Sequence, residues 1–345
     1  MSQRRVGFTR QKKCAGLSSI MKKRIISICL AFLLIFAGQS TVFAAEYSIT
    51  IGSYKLYGRL IVPQNTENPP VVIFIHGSGQ WNYNSAFGGM AMFYDMAHGL
   101  AEHGIASIRF NKRHYQHSPL PSDITIFGET IDDVYYAIDF ALAHEGLSEI
   151  FLVGFSNGGI VAPHIAYARP EVAGIISLAG SPRGFFEIVV SQSDFLRATG
   201  VASGLVIPSF ISIEGLLRQI MALDEAAMPD TFETFNNIAI HFGFPISFLR
   251  SMDSLSIADI IDYVQIPFLI LQGEEDLQIY TDQDFVAWQE LLHDREGITL
   301  ILYEGLNHFF APHVPELGFS QSRARAWVDK QVIEDMAKWV LGVTQ

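Results

Sequence analysis

The chain has 345 residues, 49% of them hydrophobic, with 23 Lys and Arg against 35 Asp and Glu and a formal net charge of −12. That is ample apolar material for one large core, and it fits either one domain with an insertion, which the patterning favours, or two small domains. The acidic balance repels nucleic acid and anionic membranes, and so argues against both as partners.

In chain order, residues 1–45 read as a leader and signal peptide. Met21-Lys-Lys-Arg24 is a basic start, Ile25 to Ala37 is an uncharged apolar run, and Val42-Phe-Ala44 places small residues at the spacing of a cleavage site. The apolar run, about 13 residues, is shorter than the roughly 20 that span a bilayer, so an anchor fits less well. The expectation is cleavage near Ala44 or Ala45, with Met21 as an alternative start to Met1. The product would be exported to the periplasm, envelope or medium, with no stable membrane association. The leader holds eight of the 23 basic residues and no acid, leaving 15 basic against 35 acidic, a net charge of about −20. Cys14 and Cys29 both lie in it, so the mature chain has no disulfide, thiol nucleophile or thiolate metal site.

From Glu46 onward, short β-branched or aromatic runs alternate with helical stretches. Strands are expected at Tyr47 to Ile51, Lys55 to Val62, Val71 to Ile75, Ala106 to Phe110, Ile150 to Gly154, Gly174 to Leu178, Pro267 to Leu271 and Thr299 to Tyr303. Helices are expected near Met90 to His103, Glu129 to His144, Asn157 to Ala168, Asp282 to His293 and Ala324 to Leu341. Near-continuously apolar strands separated by helices predict an α/β fold with a mostly parallel sheet covered on both faces; the first two, close together, suit an antiparallel edge hairpin. Residues 181–263 break the alternation. They offer only helical-period segments, Gly184 to Leu196, Ile213 to Leu223 and Phe232 to Ile240, and read as an inserted helical cap at the carboxyl ends of the strands. Pro163 should kink the helix that contains it.

Four motifs follow successive strands. His76-Gly-Ser-Gly79 is a turn able to aim backbone N–H groups into a cavity; Ser78 N–H, with Gly79 as the alternative, would pair with Asn157 N–H to bind a developing oxyanion. His76 itself reads as structural. Gly154-Phe-Ser-Asn-Gly158 places Ser156 where a strand gives way to a helix, the position of an exposed nucleophile, although a capping serine looks similar. Gly273-Glu-Glu-Asp276 and Asn307-His308 supply an acid and a base. A serine hydroxyl is a weak nucleophile unless an imidazole takes its proton, and the imidazole needs a carboxylate to fix its tautomer; Ser156, His308 and Asp276 complete that set.

These motifs resemble the α/β-hydrolase superfamily from about Tyr54 to the C-terminus. Ile108-Arg-Phe-Asn-Lys-Arg113, Leu178-Ala-Gly-Ser-Pro-Arg183 and Asp276-Leu-Gln-Ile279 are similar to exported bacterial prolyl-oligopeptidase-like and serine-aminopeptidase-like members, in which the residue at Asn111 is often Asp. The resemblance implies an α/β-hydrolase fold, an eight-stranded sheet flanked by helices. Its core would comprise residues 46–180 and 264–345, with the cap at 181–263. It also favours Asp276 over Glu274 and Glu275 as the acid. The insertion is apolar and poor in Lys and Arg, so its inner face suits an acyl chain or aromatic group, and cleavage of a small carboxylic ester through an acyl-enzyme is the leading expectation. The alternatives are a serine aminopeptidase or dipeptidyl-peptidase acting on short peptides, holding a free amino terminus with Glu214, Asp224, Glu225 or Asp230, and a thioesterase. More remote is a non-catalytic binding module on the same scaffold. No cofactor or metal is expected: there is no H-E-x-x-H, and His114 and His117 have weak ligand spacing.

Overall fold

The computed structural model describes residues 44–198, 213–222 and 245–344. Residues 1–43 of the expected leader, the helical segment at 232–240 and residues Asp224, Glu225 and Asp230 lie outside them. The strands are β1 (Ala44–Ile51), β2 (Leu56–Pro63), β3 (Val71–Ile75), β4 (Ala106–Phe110), β5 (Ile150–Phe155), β6 (Val172–Leu178), β7 (Phe268–Gly273) and β8 (Ile298–Tyr303). They form one sheet in the order β1-β2-β4-β3-β5-β6-β7-β8. β1 and β2 are the expected antiparallel edge hairpin, β2 also runs antiparallel to β4, and every other pairing is parallel. Every residue of β3, β4, β5 and β7 is buried, as interior parallel strands require.

Helices cover both faces. Against one lie α1 (Met92–Glu102) and α8 (Lys330–Val343), which bury Met92, Phe93, Met96 and Leu100, and Val332, Met336 and Val340. Against the other lie α2 (Asp132–Leu142), α3 (Asn157–Ala168), α6 (Ile246–Asp253) and α7 (Val286–Leu292), with Val134, Ile138, Ile160, Ile165, Phe248, Met252 and Trp288 in that core. α2 and α7 each open with a π-helical turn, at Phe127–Ile131 and Thr281–Phe285. Between β6 and β7 the described residues contain helices but no strand, including α4 (Phe185–Ala198) and α5 (Ile213–Ala222).

Two helix starts differ from expectation. Met90 and Ala91 pair with Ala86 and Phe87 in a short antiparallel ribbon, which delays α1 to Met92. α8 begins at Lys330 and not near Ala324, because the Asp329 carboxylate caps it by accepting the Gln331 N–H (2.8 Å), while Val328 N–H is held by Asp95 (3.2 Å). Pro163 lies inside α3, which runs unbroken from Asn157 to Ala168.

Trp288 has no exposed surface and donates its indole N–H to the Gly180 carbonyl (2.9 Å). Trp288→Ala is therefore expected to destabilise the fold by about 3–5 kcal/mol, read as a lower urea midpoint at unchanged slope.

Candidate active site

At the end of β5 the chain reverses into α3 through Ser156, whose backbone lies at φ 53° and ψ −118°. A non-glycine residue held there stores about 1–3 kcal/mol of strain and persists only where its surroundings over-determine it. Its own N–H bonds the Leu178 carbonyl at the end of β6 (2.8 Å), and its carbonyl accepts from Gly159 N–H (2.8 Å). A Cβ at Gly154 would collide with the Gly158 carbonyl, and one at Gly158 with the Ile75 carbonyl, so neither glycine is replaceable without moving backbone. Ser156 remains half-exposed at the start of α3, where the first N–H groups lack intrahelical partners and the helix dipole favours negative charge.

The loop after β7 buries Asp276, 4% exposed, and leaves Glu274 and Glu275 in solvent. One carboxylate oxygen of Asp276 accepts the N–H groups of Gln278 (2.7 Å) and Ile279 (2.9 Å); the other lies 2.7 Å from His308 Nδ1. With Nδ1 donating to the carboxylate, the lone pair of neutral His308 is at Nε2. Asn307 builds the loop that presents His308: its Oδ1 accepts from Phe309 N–H (2.9 Å) and Ala311 N–H (3.3 Å). The His308 ring lies 4.9 Å from that of Phe155, the residue before Ser156. The serine and the histidine thus share Phe155 as a neighbour, although no hydrogen bond joins them among the described contacts. Such bonds tighten in many enzymes only when substrate binds.

The turn after β3 completes the group. A Cβ at Gly77 would lie 3.0 Å from Ser156 Cβ, placing this turn against the serine. Among the described hydrogen bonds neither Ser78 N–H nor Gly79 N–H has a partner. The Asn157 side-chain amide donates to Ser78 Oγ. His76 is buried, stacks on Phe93 (4.6 Å) and donates from Nε2 to the Phe110 carbonyl (2.8 Å). Burial, with a smaller contribution from the Lys112 charge, pushes it down to about 3.

Sequence reasoning missed residues beneath this surface. Asp284, fully buried, accepts from Ser181 Oγ (2.5 Å), Arg183 Nε (2.8 Å) and Tyr280 N–H (2.7 Å), so it ties the loops after β6 and β7 together. Lys112 and Glu129 form a buried ion pair (3.3 Å) under the His76 turn. Asn111 accepts Tyr83 N–H (2.8 Å), a bond that a carboxylate there would also accept. Among the described residues, a cleft of about 1230 Å³ along α4 and α5 is lined by Phe186, Val190 and Met221, and also by Arg183, Arg218 and Glu187.

The site thus pairs a strained serine at a strand-to-helix elbow with a carboxylate-bound imidazole, both at the carboxyl edge of a β1-β2-β4-β3-β5-β6-β7-β8 sheet. A model of the alpha/beta hydrolase fold family matches residues 70–279, more than half of the chain. The chain belongs to the alpha/beta hydrolase fold family. Esterase EstD of Thermotoga maritima is similar to this hydrolase-fold chain, 26% identical over 296 residues, 86% of this chain and 67% of that protein. Among solved structures, Est1E from Butyrivibrio proteoclasticus with ferulic acid bound has a TM-score of 0.56 at 18% identity, covering 86% of this chain and 99% of that one. An esterase of Pyrococcus furiosus has a TM-score of 0.53 at 13% identity, covering 88% and 92%. These structural likenesses show the alpha/beta hydrolase fold.

A histidine pushed down by the fold binds fewer protons folded than unfolded. The stability His76 contributes is therefore present above its unfolded value of 6.5 and is lost as pH falls from 6.5 toward 3. The urea midpoint should drop between pH 7 and pH 4, and His76→Gln should flatten that drop by up to about 1.4 kcal/mol per pH unit.

Proposed function

We propose that this protein is a serine hydrolase of small carboxylic esters. The observation that carries the reading is the grouping of the Ser156 elbow with the buried Asp276–His308 pair, 2.7 Å apart, at one edge of the sheet. His308 Nε2 takes the proton of Ser156 Oγ as that oxygen attacks the ester carbonyl carbon. Asp276 holds the imidazole in the tautomer that leaves Nε2 free and stabilises it once charged. The carbonyl oxygen becomes an oxyanion held by Asn157 N–H and Ser78 N–H, with Gly79 N–H as the alternative donor. Collapse breaks the bond to the alcohol, which leaves with the proton from His308. Water, activated by the same imidazole, then releases the acid and restores the serine. The mechanism routes no step through a metal or cofactor.

An ester is favoured over a peptide by the relative named as an esterase. Residues 181–263 act in this reading as a cap that selects the acyl group. The protein is exported: removal of the leader after Ala45 would leave β1 paired with β2 from Glu46 opposite Ile61 onward.

Purified mature protein is expected to be labelled by a fluorophosphonate probe, to cleave p-nitrophenyl esters and to leave aminoacyl p-nitroanilides essentially untouched, with Ser156→Ala abolishing label and turnover. Label that persists in the variant would place the nucleophile elsewhere, and strong anilide cleavage would favour the peptidase.

The buried carboxylate between two exposed ones gives a second test. Asp276→Asn should lose at least roughly a hundredfold in kcat, and Glu274→Gln and Glu275→Gln less than about threefold each. A crippled Glu275→Gln beside a healthy Asp276→Asn would reassign the acid.

A further inference from the structure

Lys112 lies just beyond β4 with 5% of its surface exposed. Its ammonium group sits 3.3 Å from a carboxylate oxygen of Glu129, which has no exposed surface and also accepts from Thr130 Oγ1. A buried ion pair is weak evidence of stabilisation, because desolvating two charges offsets their attraction. What sets this one apart is a further partner: Lys112 Nζ donates to the carbonyl of Gly77 (2.9 Å), in the turn that abuts Ser156.

A trans peptide is planar, and its C=O and N–H point in opposite directions. Fastening the Gly77 oxygen to an ammonium group on the inner side therefore turns the N–H of the same peptide, that of Ser78, outward. The next peptide is held as well, since Trp81 Nε1 donates to the Ser78 carbonyl (2.6 Å), and Lys112 N–H donates to the Trp81 carbonyl (2.9 Å). Both carbonyls are thus engaged, while the N–H groups of the same two peptides have no partner among the described hydrogen bonds. A cationic donor on the carbonyl also polarises the peptide and strengthens its N–H as a donor. Glu129 compensates the charge of Lys112, so orientation, more than net field, reaches the site.

We propose that Lys112 is a positioning residue for the oxyanion site, fixing the Gly77–Ser78 peptide so that Ser78 N–H, and not Gly79 N–H, faces the substrate oxygen above Ser156. The proposal rests on the serine-hydrolase reading above. Lys112 touches no reacting atom, and no bond to it forms or breaks.

The test compares wild-type protein with Lys112→Met and with the double variant Lys112→Met/Glu129→Gln, which removes both charges and leaves no stranded carboxylate. For p-nitrophenyl acetate, kcat should fall about 10- to 100-fold in both, short of the 10²- to 10³-fold seen when an oxyanion donor is deleted outright, with KM within about threefold. Affinity for a trifluoromethyl ketone, whose adduct with Ser156 carries the oxyanion, should fall by the same factor as kcat. A merely structural lysine would not move that affinity in step with turnover. In wild-type protein, where folding of a variant is not at issue, the ketone should shift the Ser78 amide proton downfield more than that of Gly79. Folded variants with kcat within threefold of wild type, a loss confined to KM, or the larger shift at Gly79 would overturn the proposal. Failure of the underlying reading is distinct: it would appear in the wild-type chain as absence of fluorophosphonate labelling, or as turnover that survives Ser156→Ala.

Discussion

Backbone crowding at Ser156 is the constraint on which the rest of the site depends. The turn admits no side chain at Gly154 or Gly158, and the half-buried serine at the head of the helix accepts a left-handed φ. That geometry survives because two neighbouring strands hold it. β3 ends opposite the turn with Ile75 in register with Gly154, and β6 ends with Leu178 in register with Phe155 and accepts the serine N–H. The strain of one residue is thus borne by the register of the three central strands, which no local substitution adjusts independently.

Around this point the polar groups of the carboxyl-edge loops hold those loops in place. Asp276 uses one oxygen to close its own turn and offers the other to His308. Asn307 commits its side-chain oxygen to the N–H groups of Phe309 and Ala311, which fixes the loop that carries His308. His76 is kept neutral by burial and ties the turn after β3 to the end of β4. In the turn after β3 the carbonyls of Gly77 and Ser78 accept hydrogen bonds, while the N–H groups of the same two peptides have no partner among the described hydrogen bonds.

Most of the fold was legible in the sequence because interior parallel strands carry an unbroken apolar run and each helix a stripe of period 3.6. Boundaries shifted where a local hydrogen bond outweighed pattern, as Asp329 does at α8. The ribbon at Ala86–Ala91 was invisible, since two-residue strands have no period. Ser156, Asp276 and His308 stood out because each follows a strand and motif order ties them together, and the resemblance singled out Asp276 among three adjacent acids. Lys112 and Glu129 did not, being 17 residues apart and of types that are usually solvated. Nor did the sequence show that Arg183 and Arg218 line the cleft beside α4 and α5.

The segment between β6 and β7 starts from residues fastened to the chain after β7, and one bond joins its two ends. Ser181 and Arg183 grip Asp284, Trp288 holds Gly180, and Phe186 N–H bonds the Asp253 carboxylate (3.1 Å). Once the ends of a chain segment are joined, doubling its length adds only about 0.6 kcal/mol of closure entropy. Between Phe186 and Asp253, the residues Ile188, Phe248 and Met252 belong to the core, so changes of length that spare them cost least. Under the proposed reading, the joint between Phe186 and Asp253 would let this segment be exchanged without moving the loop that holds Asp276.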